Sequence, residues 1–271
     1  MKPSHLDYEF PVHLSDPREF YRKADPDHLT LLSFNIQVGI NTRHFPDYFL
    51  KSWQHVWPSR SRQHNLDRIS DLIRHFDVVS LQEVDGGSFR TGFVNQVEYL
   101  ARKSGQPYWH QQLNRNLGRF AQHSNGLISR FEPHRIDTHA LPGLPGRGAI
   151  VVQLGDEHPV VIVMLHLALS KKAQDHQLRF IRNLIQQYHH VIVMGDMNTH
   201  SLRLLNDSPL RECGLKSAHA RATFPSWQPH RCLDHILVSR HLRIVRMGVL
   251  DFPLSDHLPV ALEIELPELA R

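Results

Sequence analysis

The sequence predicts an α/β protein in which two mixed β-sheets pack together with helices outside. Strand-sized apolar runs alternate with segments of helical spacing through the middle of the chain, and further strand-like runs lie near both ends. That many strands fits two packed sheets better than one open parallel sheet.

The elements follow in chain order. The first 28 or so residues are rich in Pro, Asp and His and read as an extension (1–28) ahead of one domain (29–271). LTLLSFNIQV (29–38) reads as a buried strand. In NLDRISDLIRHF (65–76), Leu66, Ile69, Leu72, Ile73 and Phe76 fall on one helical stripe. DVVSLQEV (77–84) is a strand, and NQVEYLARKSG (95–105) a helix stopped by Gly105. Strands are expected at 125–130, 148–154 and 159–166. Leu178, Ile181, Leu184 and Ile185 give 171–188 a helical stripe. VIVMGDMNTH (191–200) opens as a strand, 201–212 suggests a helix, and strands close the chain at 232–239, 242–250 and 259–266.

Bulk properties exclude several classes. With 271 residues, 41% hydrophobic and 21% charged, the chain is neither disordered nor fibrous. No apolar run approaches the ~18–20 residues of a membrane span. The N-terminus lacks a signal-peptide core, so a cytoplasmic location is expected. Cys213 and Cys232 form neither a disulfide framework nor a clustered zinc motif. A net charge of +4 suits an anionic partner, but no dense Lys/Arg block marks a nucleic-acid arm. The 22 histidines make any single one weak evidence.

The informative residues are polar groups at strand ends. Asn35 interrupts LLSFNIQV, Glu83 closes VVSLQE, and His166 closes VVIVMLH. Asp196 and Asn198 close VIVMGDMN; Asp234 opens LDHILVS; Asp256 and His257 precede the last strand. Residues i and i+2 of an extended segment share a face, so Asp196 and Asn198 are expected to address one site. Gly195 permits a tight exit from the strand. Each group alone has an ordinary explanation, such as a helix cap, a packed histidine or an ion pair with Arg231 or Arg240. Unpaired burial costs ~1–3 kcal/mol, so several such groups would be better accommodated in one shared polar pocket.

The ordered set SFNIQ, VVSLQEVD, SNGLISR, LHLALS with HQLRFI, GDMNTH, CLDHILVS and PLSDHLPV resembles the endonuclease/exonuclease/phosphatase superfamily. The layout is similar to small bacterial members encoded beside cardiolipin synthases. The resemblance implies a four-layer α/β sandwich and Mg²⁺- or Mn²⁺-assisted hydrolysis of a phosphate ester; attack of water on a phosphodiester is the expected reaction. It implies that Glu83 is the primary metal carboxylate, with Asn35 and Asp256 beside the metal. Asp196 would orient or deprotonate the attacking water, and Asn198 would hold a phosphoryl oxygen. His166 and His257 would contact the phosphate, with Asp234 orienting His257. Asn125 and Arg147 are expected to line the substrate pocket. Abasic-site endonucleases usually carry an acid two residues after the Asn; here stands Gln37, which argues against DNA repair and for weaker metal affinity.

The residue types suit this chemistry in their own right. A hard cation takes a few carboxylates plus water and substrate oxygen, and N–H donors meet the charge developing on phosphoryl oxygens. The basic, aromatic connection 41–63, with Trp53, Trp57, Arg60 and Arg62, is expected to cover the site, stack bases or touch lipid headgroups. ATFPSWQPH (222–230) is a second candidate rim. Nucleic acid and a phospholipid headgroup are the competing substrates. A non-catalytic binding module for nucleic acid or a membrane surface is the alternative class.

Overall fold

The structure, a computed structural model, describes residues 14–21, 25–39, 60–116, 122–217 and 221–267. Trp53 and Trp57 of the 41–63 connection lie outside these; Arg62 is a buried residue of the first helix. The described strands are β1 (His28–Asn35), β2 (Val78–Asp85), β3 (Tyr108–Asn116), β4 (Gln122–Ser129), β5 (Arg135–Ala140), β6 (Gly148–Leu154), β7 (Val160–His166), β8 (His190–Asp196), β9 (Leu215–Ser217), β10 (Asp234–Ser239), β11 (Ile244–Val249) and β12 (Val260–Glu265). The α-helices are α1 (Arg60–Ile73), α2 (Gln96–Ser104), α3 (Lys171–Ile185) and α4 (Ser201–Asn206). They form two six-stranded mixed sheets, ordered β11-β12-β1-β2-β4-β3 and β5-β6-β7-β8-β10-β9. Within them β1/β2 and β7/β8 are parallel pairs.

Alternation along the strands builds the layers. Leu29 and Leu31 of β1, Ile162 and Met164 of β7, Ile192 and Met194 of β8, and Ile236 and Val238 of β10 meet in the core between the sheets. The intervening residues face the helices. Leu32 and Phe34 pack with Leu66, Ile69, Leu72 and Ile73 of α1 and Leu100 of α2. Val161, Val163, Val191 and Val193 pack with Leu178, Ile181 and Ile185 of α3. Four layers result, helix–sheet–sheet–helix, because each sheet has two apolar faces to bury. Phe20, from the segment ahead of β1, is buried in the first helix-side core.

Three departures from the sequence expectations have physical causes. β3 and β5 went unpredicted because they are edge strands whose sequences, YWHQQLNRN and RIDTHA, are mostly polar. α1 starts at Arg60, ahead of Leu66 where its apolar stripe declares itself. The expected helix 201–212 is split: α4 ends at Asn206, and Pro209 opens a separate 3₁₀ turn, Pro209–Glu212.

Candidate active site

The same alternation carries the inner faces of the strands from apolar to polar at one end of the sandwich. On β7, Ile162 and Met164 are followed by His166; on β8, Ile192 and Met194 by Asp196; on β1, Leu29 and Leu31 by Ser33 and Asn35. Asp234 begins β10 ahead of Ile236 and Val238 on the same face. Register places His166 opposite Asp196 and Asp196 opposite Asp234, so the three form one row across the second sheet. Gly195 is needed here. Its φ is +142°, and a Cβ at this position would lie 1.9 Å from the Leu165 carbonyl oxygen.

Glu83 arrives differently. Val78 faces the inter-sheet core while Val79 and Leu81 face the helices, so strict alternation would turn Glu83 toward the helices. The β2/β4 register shifts between Leu81 and Val84, and Glu83 has φ +55°. The bulge re-aims the side chain into the site, at a backbone cost of ~1–3 kcal/mol.

Asn35 ties the two sheets together. Its Oδ1 accepts from the Gln37 backbone N–H at 3.2 Å, which fixes the amide orientation. Its Nδ2 donates to Asp196 Oδ2 at 3.1 Å, and the amide lies close enough to Glu83 to favour its ionised form. Asp196 Oδ2 lies 3.4 Å from His166 Nε2 and 3.9 Å from His257 Nε2. His257 Nδ1 meets Asp234 Oδ2 at 2.8 Å, and that oxygen also accepts from the Thr223 hydroxyl at 2.6 Å. Asp256 accepts from the Ser255 hydroxyl at 3.1 Å. Asn35, Glu83, His166, Asp196, Asp234, Asp256 and His257 thus converge from both sheets.

The position of Asn198 corrects one expectation. β8 ends at Asp196, and Asn198 has φ +50°, so the i, i+2 rule does not place the pair on one face. Asn198 instead folds back: its N–H donates to Asp196 Oδ1 at 3.0 Å, and its Nδ2 donates to the Leu167 carbonyl at 3.0 Å. Its amide stays beside the row, anchored by Leu167 just after β7 rather than by strand geometry.

A pocket of about 280 Å³ adjoins the cluster, lined in part by Glu83, His166, Asn125, Arg147, Arg115 and His123. Asn125 Nδ2 donates to the Gly148 carbonyl at 2.9 Å, pinning β4 to β6 across the sandwich. Sequence reasoning singled out the 222–230 rim without a role for Thr223, which is fully buried against Asp234. Phe224 follows it, with its ring 4.9 Å from that of His257.

Electrostatics separate these groups. Burial pushes His166 down to about 3, against the pull of Asp196, so the ring is neutral at pH 7. Burial would also depress His257, but Asp234, Asp196 and Asp256 outweigh it and hold this ring well above the ordinary histidine value. Burial raises Glu83, and Asp196 adds to the effect; His257, Asn35 and Arg147 oppose it. Burial likewise pushes Asp256 up to about 6, reinforced by Glu83. Asp196, Asp234 and His257 offer ligand atoms within 4.8 Å of one another, an acid/histidine cluster able to hold a metal ion. Two carboxyls raised by burial and by neighbouring negative charge, with oxygen donors in the set, fit a hard divalent cation.

Residues 32–257 match the Endonuclease/Exonuclease/phosphatase family. The chain belongs to this family. Among curated protein sequences, no significant match is found. Solved structures of the Endonuclease/Exonuclease/phosphatase fold are similar at low identity. The endonuclease/exonuclease/phosphatase from Beutenbergia cavernae is 19% identical with a TM-score of 0.66, over 89% of this chain and 72% of that one. A mannosyl-6-phosphatase of Bacteroides thetaiotaomicron is 16% identical, TM-score 0.65, over 88% of this chain and all of that one. Humanized D. rerio TDP2 is 14% identical, TM-score 0.59, over 89% of this chain and all of that one. At these identities the likeness is one of fold. No helix among the described residues is long and apolar enough to cross a membrane.

Proposed function

We propose that the protein is a divalent-metal-dependent phosphoesterase that hydrolyses a phosphodiester with water as nucleophile. One observation carries this reading: the Asn35 amide of the first sheet donates to Asp196 of the second, close to Glu83 and beside a His257–Asp234 pair.

The residues divide the work. Glu83 and Asp256 would hold Mg²⁺ or Mn²⁺, with Asn35 arranging the site. His257 Nδ1 is already taken by Asp234, which favours the Glu83 side for the ion. A bound ion would supply Lewis-acid polarisation of the phosphoryl group and stabilise the leaving oxygen. Asp196 orients the water and takes its proton. His257, charged and oriented by Asp234 and Thr223, donates to a phosphoryl oxygen. Neutral His166 and the Asn198 amide supply further N–H donors. Arg147, which feels the charges of Glu83 and Asp196, and Asn125 line the pocket for the rest of the substrate.

A chelator-controlled screen tests the reading. Bis-p-nitrophenyl phosphate, its monoester counterpart, single- and double-stranded DNA, RNA and phospholipid are each incubated with Mg²⁺ or Mn²⁺. Hydrolysis of a diester that stops on adding chelator is expected. Turnover unaffected by chelator would overturn the metal dependence; ligand binding without turnover of any diester would replace the reading with the binding-module one.

A further inference from the structure

The histidine-rich composition gains a local meaning at the far end of β8. Among the described residues, His189, His190 and His241 are the second group whose ligand atoms lie within 4.8 Å of one another. His189 and His190 lead into β8, and His241 sits in the turn between β10 and β11. The two exposed rings, His189 and His241, stack with centroids 3.9 Å apart and an interplanar angle of 12°.

Two details point to a cation. His241 Nε2 lies 2.7 Å from the His189 carbonyl oxygen, which can only accept. Nε2 therefore carries the proton and Nδ1 presents a bare lone pair, the arrangement in which a carbonyl fixes a metal-binding imidazole. His190 Nδ1 is buried and has no hydrogen-bond partner. A buried ring nitrogen left unpaired costs ~1–3 kcal/mol, a cost a ligated ion would relieve.

We propose that His189, His190 and His241 form a second metal site, for a borderline-soft dication of the Zn²⁺ type. Three imidazoles select Zn²⁺, Ni²⁺ or Cu²⁺ over Mg²⁺, which prefers oxygen. Tetrahedral donors at ~2.0–2.1 Å from zinc stand about 3.4 Å apart, so the exposed rings unstack slightly to close on the ion. His189 and His241 line an adjoining cavity of about 540 Å³, shared with Glu212 and Cys213, which leaves room for a water as fourth ligand. Arg182 and Arg240 on the same wall oppose a cation; Glu212 and solvent screening offset them. Asp196 is the last residue of β8 and His190 the first, roughly 20 Å apart at ~3.3 Å per residue. The two metals would brace opposite ends of one strand.

The test uses tag-free, chelator-treated full-length chain with Mg²⁺ in excess, titrated with Zn²⁺ by calorimetry and with Co²⁺ by visible absorption. Wild type is expected to bind one Zn²⁺ tightly and to give a tetrahedral Co²⁺ spectrum. H190Q/H241Q should weaken that binding by at least ~100-fold and leave Mg²⁺-dependent turnover unchanged. H189Q and H241Q, at exposed rings, should each weaken it measurably, which keeps the test decisive if the double variant misfolds. Asp196→Asn should leave this site intact. Unchanged Zn²⁺ affinity in the histidine variants, or loss of all Zn²⁺ binding in Asp196→Asn, would overturn the proposal.

Discussion

On the second sheet, His166, Asp196 and Asp234 reach the site by plain register: three strands end or begin level, and alternation turns all three inward. On the first, Asn35 obeys the same rule, but Glu83 reaches the site only through a bulge and a left-handed residue. The difference teaches where the cost of the site sits. The second sheet spends close backbone packing at Gly195; the first stores strain and a half-buried carboxyl at Glu83.

The largest expected effect joins the two sheets. Glu83→Gln and Asp196→Asn should each lower phosphodiester turnover by about 10²–10⁴-fold. Their stabilities should diverge. In chelator at pH 7, burial disfavours the ionised Glu83, so Glu83→Gln should be more stable by about 1 kcal/mol in urea unfolding. Asp196→Asn removes the carboxylate facing two histidines and should be no more stable than wild type. If both variants gain stability alike, the contrast between the sheets fails.

Next comes the backbone contact of the second sheet. Gly195→Ala should destabilise by about 3 kcal/mol or more, because the neighbouring atom is a strand carbonyl that cannot rotate away. A variant with an unchanged urea midpoint would mean that β7 and β8 need not approach so closely.

Acid should then act on His166. Its folded value of about 3 lies below the ordinary 6.5, so its stability contribution is complete above pH 6.5 and is lost as pH falls toward 3. The slope approaches ~1.4 kcal/mol per pH unit. Asp256, raised from 3.8 to about 6, acts oppositely: its contribution is complete below 3.8 and lost as pH rises through 6. The two partly cancel in wild type, so the difference between wild type and His166→Gln in chelator isolates the histidine. That difference should shrink steadily from pH 6.5 to 4; a constant difference would show that His166 is not held neutral.

The smallest effect falls on support. Thr223→Val removes the hydroxyl that donates to Asp234, and turnover should fall ~10-fold with little change in substrate KM.

Much of this arrangement was legible in the sequence, for a reason the second sheet makes plain. A polar residue at the end of an apolar strand must be accommodated, and His166 and Asp196 closing theirs, and Asp234 opening its own, each announce themselves in that way. The four layers were legible because both faces of the central strands are apolar. What escaped were features that depend on backbone departures or partners far away in sequence. Nothing in VVSLQEVD marks the bulge at Glu83. The left-handed turn at Asn198 defeats the period-two rule. Thr223 acquires meaning only when Asp234 folds against it. β3 and β5 were invisible because edge strands need no apolar alternation.

The central claim is that residues of both sheets serve one divalent ion and one phosphate ester. Mn²⁺ titration followed by electron paramagnetic resonance tests its metal half without needing the substrate. Wild type should bind Mn²⁺ at a site from which excess Mg²⁺ displaces it, and Glu83→Gln, still folded, should bind it at least ~10-fold more weakly. Mn²⁺ affinity indifferent to Glu83, in a folded variant, would contradict the account.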